Sequence, residues 1–293
     1  MRPSEQLTTL ALLALSAATA AAGAPGTGVR LVALAAMLWV GWALARRGAT
    51  DGLLGACRDF GPVAVVLLVF LLLQPVIEGL NPARYDGPLA AFDRRWLGWL
   101  VPGWRGALGR PSAFTDVAYV AYCSFYLLPV TVGVVVWRWR GPAALERVRL
   151  AVLLGFYLSF LGYFLWPASG PRVDPAQEAA VLGGGVISEL ARGFLRGAET
   201  TTLDAFPSGH TAQAVVASVL GARLLPRAGP ALLAWAATVI FSTVYISAHY
   251  AVDVLAGLAL AGLTLGLAPA VDRWLGPAPE GAQALDGRDA ALR

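Results

Sequence analysis

The chain holds two histidines, His210 and His249, so any imidazole chemistry must use this pair. His249 stands four residues before Asp253 in the run Ser242-Thr243-Val244-Tyr245-Ile246-Ser247-Ala248-His249-Tyr250-Ala251-Val252-Asp253. On a helix that spacing puts both side chains on one face. A carboxylate bonded to one imidazole nitrogen fixes the tautomer and leaves the other nitrogen free to attack. Asp253 falls in the first turn of an apolar stretch, where the helix dipole favours its ionised form. A structural His–Asp pair at a membrane surface accounts for the same spacing. His210 closes the run Phe206-Pro207-Ser208-Gly209-His210. Proline suits a helix start, and Gly209 lets the backbone come close to a ligand. Ser208, His210 and unpaired backbone N–H groups thus gather at a helix N-terminus, which suits a phosphate oxyanion. Ordinary capping also accounts for Ser208. Arg172 ends the turn Pro167-Ala168-Ser169-Gly170-Pro171-Arg172, and its guanidinium matches phosphate oxygens or a lipid headgroup.

The elements that must position these residues are apolar. Of 293 residues 57% are hydrophobic and 14% charged, against about 25% charged in soluble domains. That composition excludes a water-soluble globule and a disordered chain. A net charge of +4 is too small for a nucleic-acid binder. Cys57 and Cys123 build no disulfide framework or cysteine zinc site. Two histidines and a few carboxylates are too sparse for a metal, so neither metal nor cofactor is expected. The apolar stretches Leu7–Ala22, Val29–Ala45, Phe60–Ile77, Phe114–Val136, Val148–Trp166, His210–Leu225, Ala231–Ser247 and Val252–Val271 come near the length of a spanning helix, which needs about 20 residues. The reading is an all-α, polytopic membrane helix bundle of about eight spans. Residues 1–48 form an N-terminal apolar hairpin, 59–272 a six-span catalytic core with outer loops 79–113 and 167–209, and 273–293 a polar tail. The first stretch also reads as a secretory signal with a small-residue cleavage site.

Arginine placement orients the bundle. With the N-terminus in the cytoplasm, the short inner loops hold Arg46, Arg47, Arg58, Arg138, Arg140, Arg147, Arg149, Arg223 and Arg227. The long outer loops dilute their arginines with acids such as Glu78, Asp86, Asp93, Asp174, Glu178, Glu189, Glu199 and Asp204. Both termini are then cytoplasmic, in a cell or inner membrane, and Arg172, His210 and His249 share the periplasmic or extracellular face. Leu89–Leu100, with Trp96 and Trp99 beside Arg94 and Arg95, reads as a helix lying along that surface or as a loop packed on the bundle.

These motifs resemble those of the type 2 phosphatidic acid phosphatase superfamily, integral-membrane lipid phosphatases and phosphotransferases related in fold to vanadium haloperoxidases. Pro207-Ser208-Gly209-His210 matches the family's second motif, and Ser242 through His249 to Asp253 matches the third in spacing. The first motif's lysine is absent, because all 22 basic side chains are arginine. Gly170-Pro171-Arg172 stands in its place, while Arg110-Pro111 has the family dipeptide one outer loop too early. Thr243 replaces the third motif's arginine. This pattern resembles the branch of inositol phosphorylceramide synthases and related inositolphosphotransferases. The resemblance implies that His249 attacks phosphorus, Asp253 orients it, His210 moves the proton, and Arg172, Ser208 and Gly209 hold the phosphoryl oxygens. The implied partner is a membrane lipid carrying a phosphate. Two other readings compete: a lipid-binding protein on a decayed phosphatase fold, and an intramembrane serine protease with a Ser208/His249 dyad. The protease reading lacks a glycine two residues before the serine, where Phe206 stands.

Overall fold

The computed structural model describes residues 1–46, 52–98, 112–172 and 182–276. Arg47, Trp99, Arg110, Asp174, Glu178 and most of the 273–293 tail lie outside them. The chain is all-α, and the described residues form twelve α-helices with no strand. They are α1 (Pro3–Ala21), α2 (Pro25–Arg46), α3 (Gly52–Phe70), α4 (Gln74–Leu80), α5 (Asp86–Phe92), α6 (Ser112–Cys123), α7 (Leu128–Arg140), α8 (Pro142–Leu165), α9 (Val186–Ala198), α10 (Gly209–Leu224), α11 (Gly229–Tyr245) and α12 (Ala251–Leu275). Prolines open many of them: α1, α4, α7, α8 and α11 each carry one at the first or second position. There the missing N–H costs nothing.

The sequence's apolar stretches reappear as helices, but not all as straight spans. α2, α8 and α12 contain segments long and apolar enough to cross a membrane. Two bent pairs raise the number to five: α3 with α4, turned by 56°, and α6 with α7, turned by 52°. The expected count of about eight is therefore not reached by length and hydropathy among the described residues. α10 and α11 have 16 and 17 residues, short of a full crossing. These helices are those of a membrane protein, and Leu161, Leu165, Leu255, Leu258 and Leu263 turn apolar surface outward.

α10 is the hub, packed against α7, α8, α11 and α12. Around it Val132, Val136, Val148, Val152, Val216 and Val239 form one apolar core. The N-terminal pair α1–α2 forms a second core with α3 and α8 through Leu12, Leu31, Val66, Leu153 and Phe160. Gln6 of α1 donates to the carbonyl of Leu275, the last residue of α12, at 2.9 Å. α12 begins beside His249, so both described ends of the chain lie at the opposite end of the bundle from the histidines.

Two amphipathic pieces flank the histidine end. The expected surface helix is α5, continued by a π-helical turn over Asp93–Leu97, and it leaves Phe92 and Trp96 exposed. α9 lies inside the expected outer loop 167–209, where the sequence reading placed no helix. Its Val186, Ile187, Leu190 and Phe194 form an exposed stripe, while Arg192 is buried on the opposite side.

Candidate active site

Backbone hydrogen bonds sew the motif segments together. Ala205 N–H donates to the Ala168 carbonyl at 2.9 Å, joining the Arg172 turn to the Ser208 segment. Ser208 N–H donates to the Asp253 carbonyl at 3.0 Å, joining the starts of α10 and α12. The surface helix clamps both joins. Asp86 accepts from Ser169 and Gly170 N–H at about 3.0 Å, and Asp93 accepts from Ala251 and Val252 N–H at 2.7 and 2.9 Å. Gly170 meets this geometry with a φ of +78°, and a side chain there would run into the Ala248 carbonyl.

The two histidines converge. Their ring centroids are 5.6 Å apart, and His249 Nε2 faces His210 Nδ1 at 3.5 Å. His249 Nδ1 lies 2.9 Å from the Ala205 carbonyl. A carbonyl only accepts, so Nδ1 carries the proton and Nε2 of the neutral ring presents its lone pair. The Asp253 carboxylate is farther from the same nitrogen, at 3.5 Å, and accepts from Tyr250 N–H at 2.8 Å. The expectation of a His–Asp pair on one helix face thus needs correcting. His249 lies in the turn before α12, and Asp253 reaches back from the third position of that helix as its capping residue.

Ser208 and Gly209 each have a structural partner. Ser208 is fully buried, and its hydroxyl oxygen accepts from Thr211 N–H at 3.2 Å, an N-cap bond. Gly209 makes its close approach to Tyr163, whose hydroxyl would overlap any Cβ at that position. His249 bonds Ala205 and His210, with Ser208 absent from its partners, so no Ser208/His249 dyad forms. Thr243 is buried, and its hydroxyl donates to the Ile240 carbonyl at 2.7 Å. Its own carbonyl accepts from Ala248 and His249 N–H and so holds the histidine turn in place.

Arg172 pairs with Asp204 at 3.0 Å and approaches Glu199 at 3.9 Å. It lines a cavity of about 370 Å³ with Tyr122, Arg192, Arg196, Glu199 and Ser247. A second cavity, of about 260 Å³, is lined by His249, Ser247, Arg94, Leu97, Val244 and Tyr250. Ser247 belongs to both walls, so the arginine and the nucleophile candidate face neighbouring spaces divided at this residue. His210 is packed behind them, stacked on Tyr122 at 4.5 Å and against Phe125 at 4.2 Å. Burial raises Glu199 above the usual carboxylate range, and the Asp204 charge adds to this. Burial likewise raises Asp204, against the pull of Arg172.

Sequence reasoning missed Glu199 and Tyr122. Tyr122 donates to Glu199 at 2.7 Å, and Glu199 stands 3.9 Å from His210 Nε2. In the sequence Glu199 reads only as one of the acids that dilute the outer loop, and its place just after α9 becomes visible with the helix. Among the described residues no group of three or more His, Cys, Asp or Glu side chains could hold a metal ion.

A family model described as the PAP2 superfamily matches residues 88–267, more than half of the chain and, with it, Arg172, Glu199, His210, His249 and Asp253. The chain belongs to the PAP2 superfamily. PAP2 proteins comprise phosphatases and phosphotransferases, so the chain falls in a phosphatase-type lipid enzyme family. No curated protein and no solved structure matches it. The PAP2 match begins inside the surface helix and ends inside α12, leaving α1 to α4 outside it.

Proposed function

We propose that this PAP2 protein transfers the phosphoryl group of a membrane lipid phosphate through a phosphohistidine on His249. The observation that carries the reading is the opposed pair of nitrogens, His249 Nε2 and His210 Nδ1, 3.5 Å apart with the His249 tautomer set by the Ala205 carbonyl. The His249 lone pair attacks phosphorus, and the bond from phosphorus to the leaving oxygen breaks. His210 gives that oxygen a proton. Water or a lipid hydroxyl then attacks the phosphohistidine, passes its proton to His210, and the N–P bond breaks. Asp253 and the Ala205 carbonyl stabilise the positive charge that develops on His249. Catalysis of this kind is mostly positioning and charge stabilisation.

The phosphoryl oxygens lie where the two cavities meet beside Ser247, within reach of Arg172 on one side and His249 on the other. The N–H groups of Gly209 and His210 open α10 without intrahelical acceptors and add donors at the same end. Phosphorus must approach His249 Nε2 to roughly 3–3.5 Å. The two rings therefore part as substrate enters. Thr243 leaves the site one cation short of the family pattern, which supports a phosphotransferase of the inositolphosphotransferase kind, with a lipid hydroxyl as acceptor. The membrane is the inner or cell membrane, the site opens on its periplasmic or extracellular face, and both termini are cytoplasmic, as the arginine-dense inner loops support.

The test uses purified protein with phosphatidate, an isoprenyl diphosphate and a phosphoinositide. Free phosphate is scored against newly formed phospholipid. Wild-type protein is expected to trap label on His249, and His249→Ala to lose at least 10³-fold in turnover while remaining folded. Wild-type turnover by His249→Ala would refute the nucleophile assignment.

A further inference from the structure

We propose that Glu199 is the positioning residue of His210, and that a proton shared between Glu199 and His210 Nε2 settles on His210 as its Nδ1 proton passes to the leaving oxygen. This rests on the phosphoryl-transfer reading and deepens it.

The inference follows from a proton inventory. The Ala205 carbonyl places a hydrogen on His249 Nδ1, so His249 Nε2 is an acceptor. In the contact between the rings, His210 Nδ1 is then the donor. His210 Nε2 points the other way. It is buried, has no hydrogen-bond partner, and lies 3.9 Å from Glu199 Oε1. A bare lone pair facing a buried carboxylate is repulsive, and one proton between them removes the conflict. Glu199 is held in place beside that nitrogen: Tyr122 and Tyr126 donate to Oε1 at 2.7 and 3.3 Å, and Arg172 stands 3.9 Å from Oε2.

Each histidine is thus backed by a carboxylate, His249 by Asp253 and His210 by Glu199, and their remaining nitrogens face each other. When the ester oxygen leaves, His210 Nδ1–H goes to it and the shared proton settles on His210 Nε2. Glu199 ends as a carboxylate and His210 as the other tautomer. In the second half the acceptor's proton reverses the path, so nothing is consumed. The other titratable and charged groups facing the pair are Tyr122, Tyr126 and Cys123 from α6 and the turn after it, Arg172 and Asp204 from the loops, Arg192 and Arg196 from α9, and His249.

Glu199→Gln keeps an acceptor for Tyr122 and removes the proton site. With an alkyl lipid phosphate, kcat is expected to fall tenfold or more, with KM within about threefold, as general acid catalysis contributes 10² or more. The alkaline limb of kcat should move to lower pH by about one unit, the effect of losing an opposite charge at this range. A lipid analogue with a nitrophenolate leaving group needs no acid, so its rate should fall less than about threefold. Equal losses on both substrates, or an unmoved alkaline limb, would overturn the proposal. If Glu199→Gln does not fold, Glu199→Asp decides. It retains an ionisable partner, so its larger loss should again fall on the alkyl substrate, and equal losses on both reject the proposal. Failure to trap label on His249 in wild-type protein would instead reject the underlying reading.

Discussion

Ser208 turns its hydroxyl oxygen to Thr211 N–H, so its removal is chiefly a helix-end event. Ser208→Ala is expected to cost about 1 kcal/mol of stability and to change kcat/KM less than about threefold. A large kinetic loss without a stability loss, measured side by side, would return Ser208 to the phosphate. Arg172 is the reverse case. Its pairs with Asp204 and Glu199 hold it at the cavity wall, and a charged hydrogen bond to phosphate is worth roughly 1.5–3 kcal/mol. Arg172→Ala should lower kcat/KM about 10- to 150-fold, and an effect under about twofold would move the role elsewhere. The acids beside it also bear on pH. Burial raises Asp204 from an ordinary 3.8 and Glu199 from 4.5. Between those values and the raised ones, the folded chain holds protons that the unfolded chain has released. Stability contributed by these groups therefore falls as pH rises through that window. The thermal midpoint in detergent should show this fall, and Asp204→Asn should flatten it. An unchanged slope in that variant would assign the pH response to other groups.

The helices were legible because apolar stretches of near-spanning length separate arginine-rich turns, and the convergence of His210 with His249 followed from their alternation. The bends after Phe70 and Tyr126 were not legible, since hydropathy runs straight through both. α9 was missed because its apolar stripe repeats every three to four residues among polar ones, so mean hydropathy stays low while one face is greasy. The ring-to-carbonyl bond of His249 was equally invisible, for Ala205 is 44 residues away and carries no polar side chain. The turn between α11 and α12 gives this scale its own test. Ser247 adopts φ +63°, a left-handed conformation, where the two cavities meet. Ser247→Gly relieves the strain and should leave activity within about threefold. Ser247→Val puts a β-branched side chain in that conformation, at roughly 1–3 kcal/mol, and fills the junction. Its kcat/KM should collapse. Equal activities in the two variants would show that the phosphoryl group does not pass Ser247.

At the scale of the whole molecule, the chemistry sits at one end of the bundle and a buried ionic cluster toward the other, separated by roughly 24 Å of α8 between Arg149 and Leu165. In that cluster Arg149, 2% exposed, pairs with Glu146 and donates to the Ser4 hydroxyl at 2.8 Å. Glu146 also accepts from Ser4 N–H and the Ser4 hydroxyl, and Arg2 pairs with Asp59. The first helix is therefore tied into α3 and α8 by charge as well as by Leu12 and Leu15. A cleaved signal would leave Arg149 without its Ser4 bond and uncover the apolar wall of α8. We expect the protein isolated from membranes to retain α1, which intact mass measurement checks directly, and a mass short by that segment would overturn the expectation. Breaking the pair from the other side should be costly. Glu146→Gln removes the carboxylate from a buried guanidinium that keeps the Ser4 hydroxyl and the Asp59 carbonyl as acceptors, so the cost should not exceed the roughly 3–5 kcal/mol typical of losing one partner of a buried ion pair. That cost should appear as a lower thermal midpoint with little change in the kcat of the surviving folded protein, because the active end stands several helical turns away along α8.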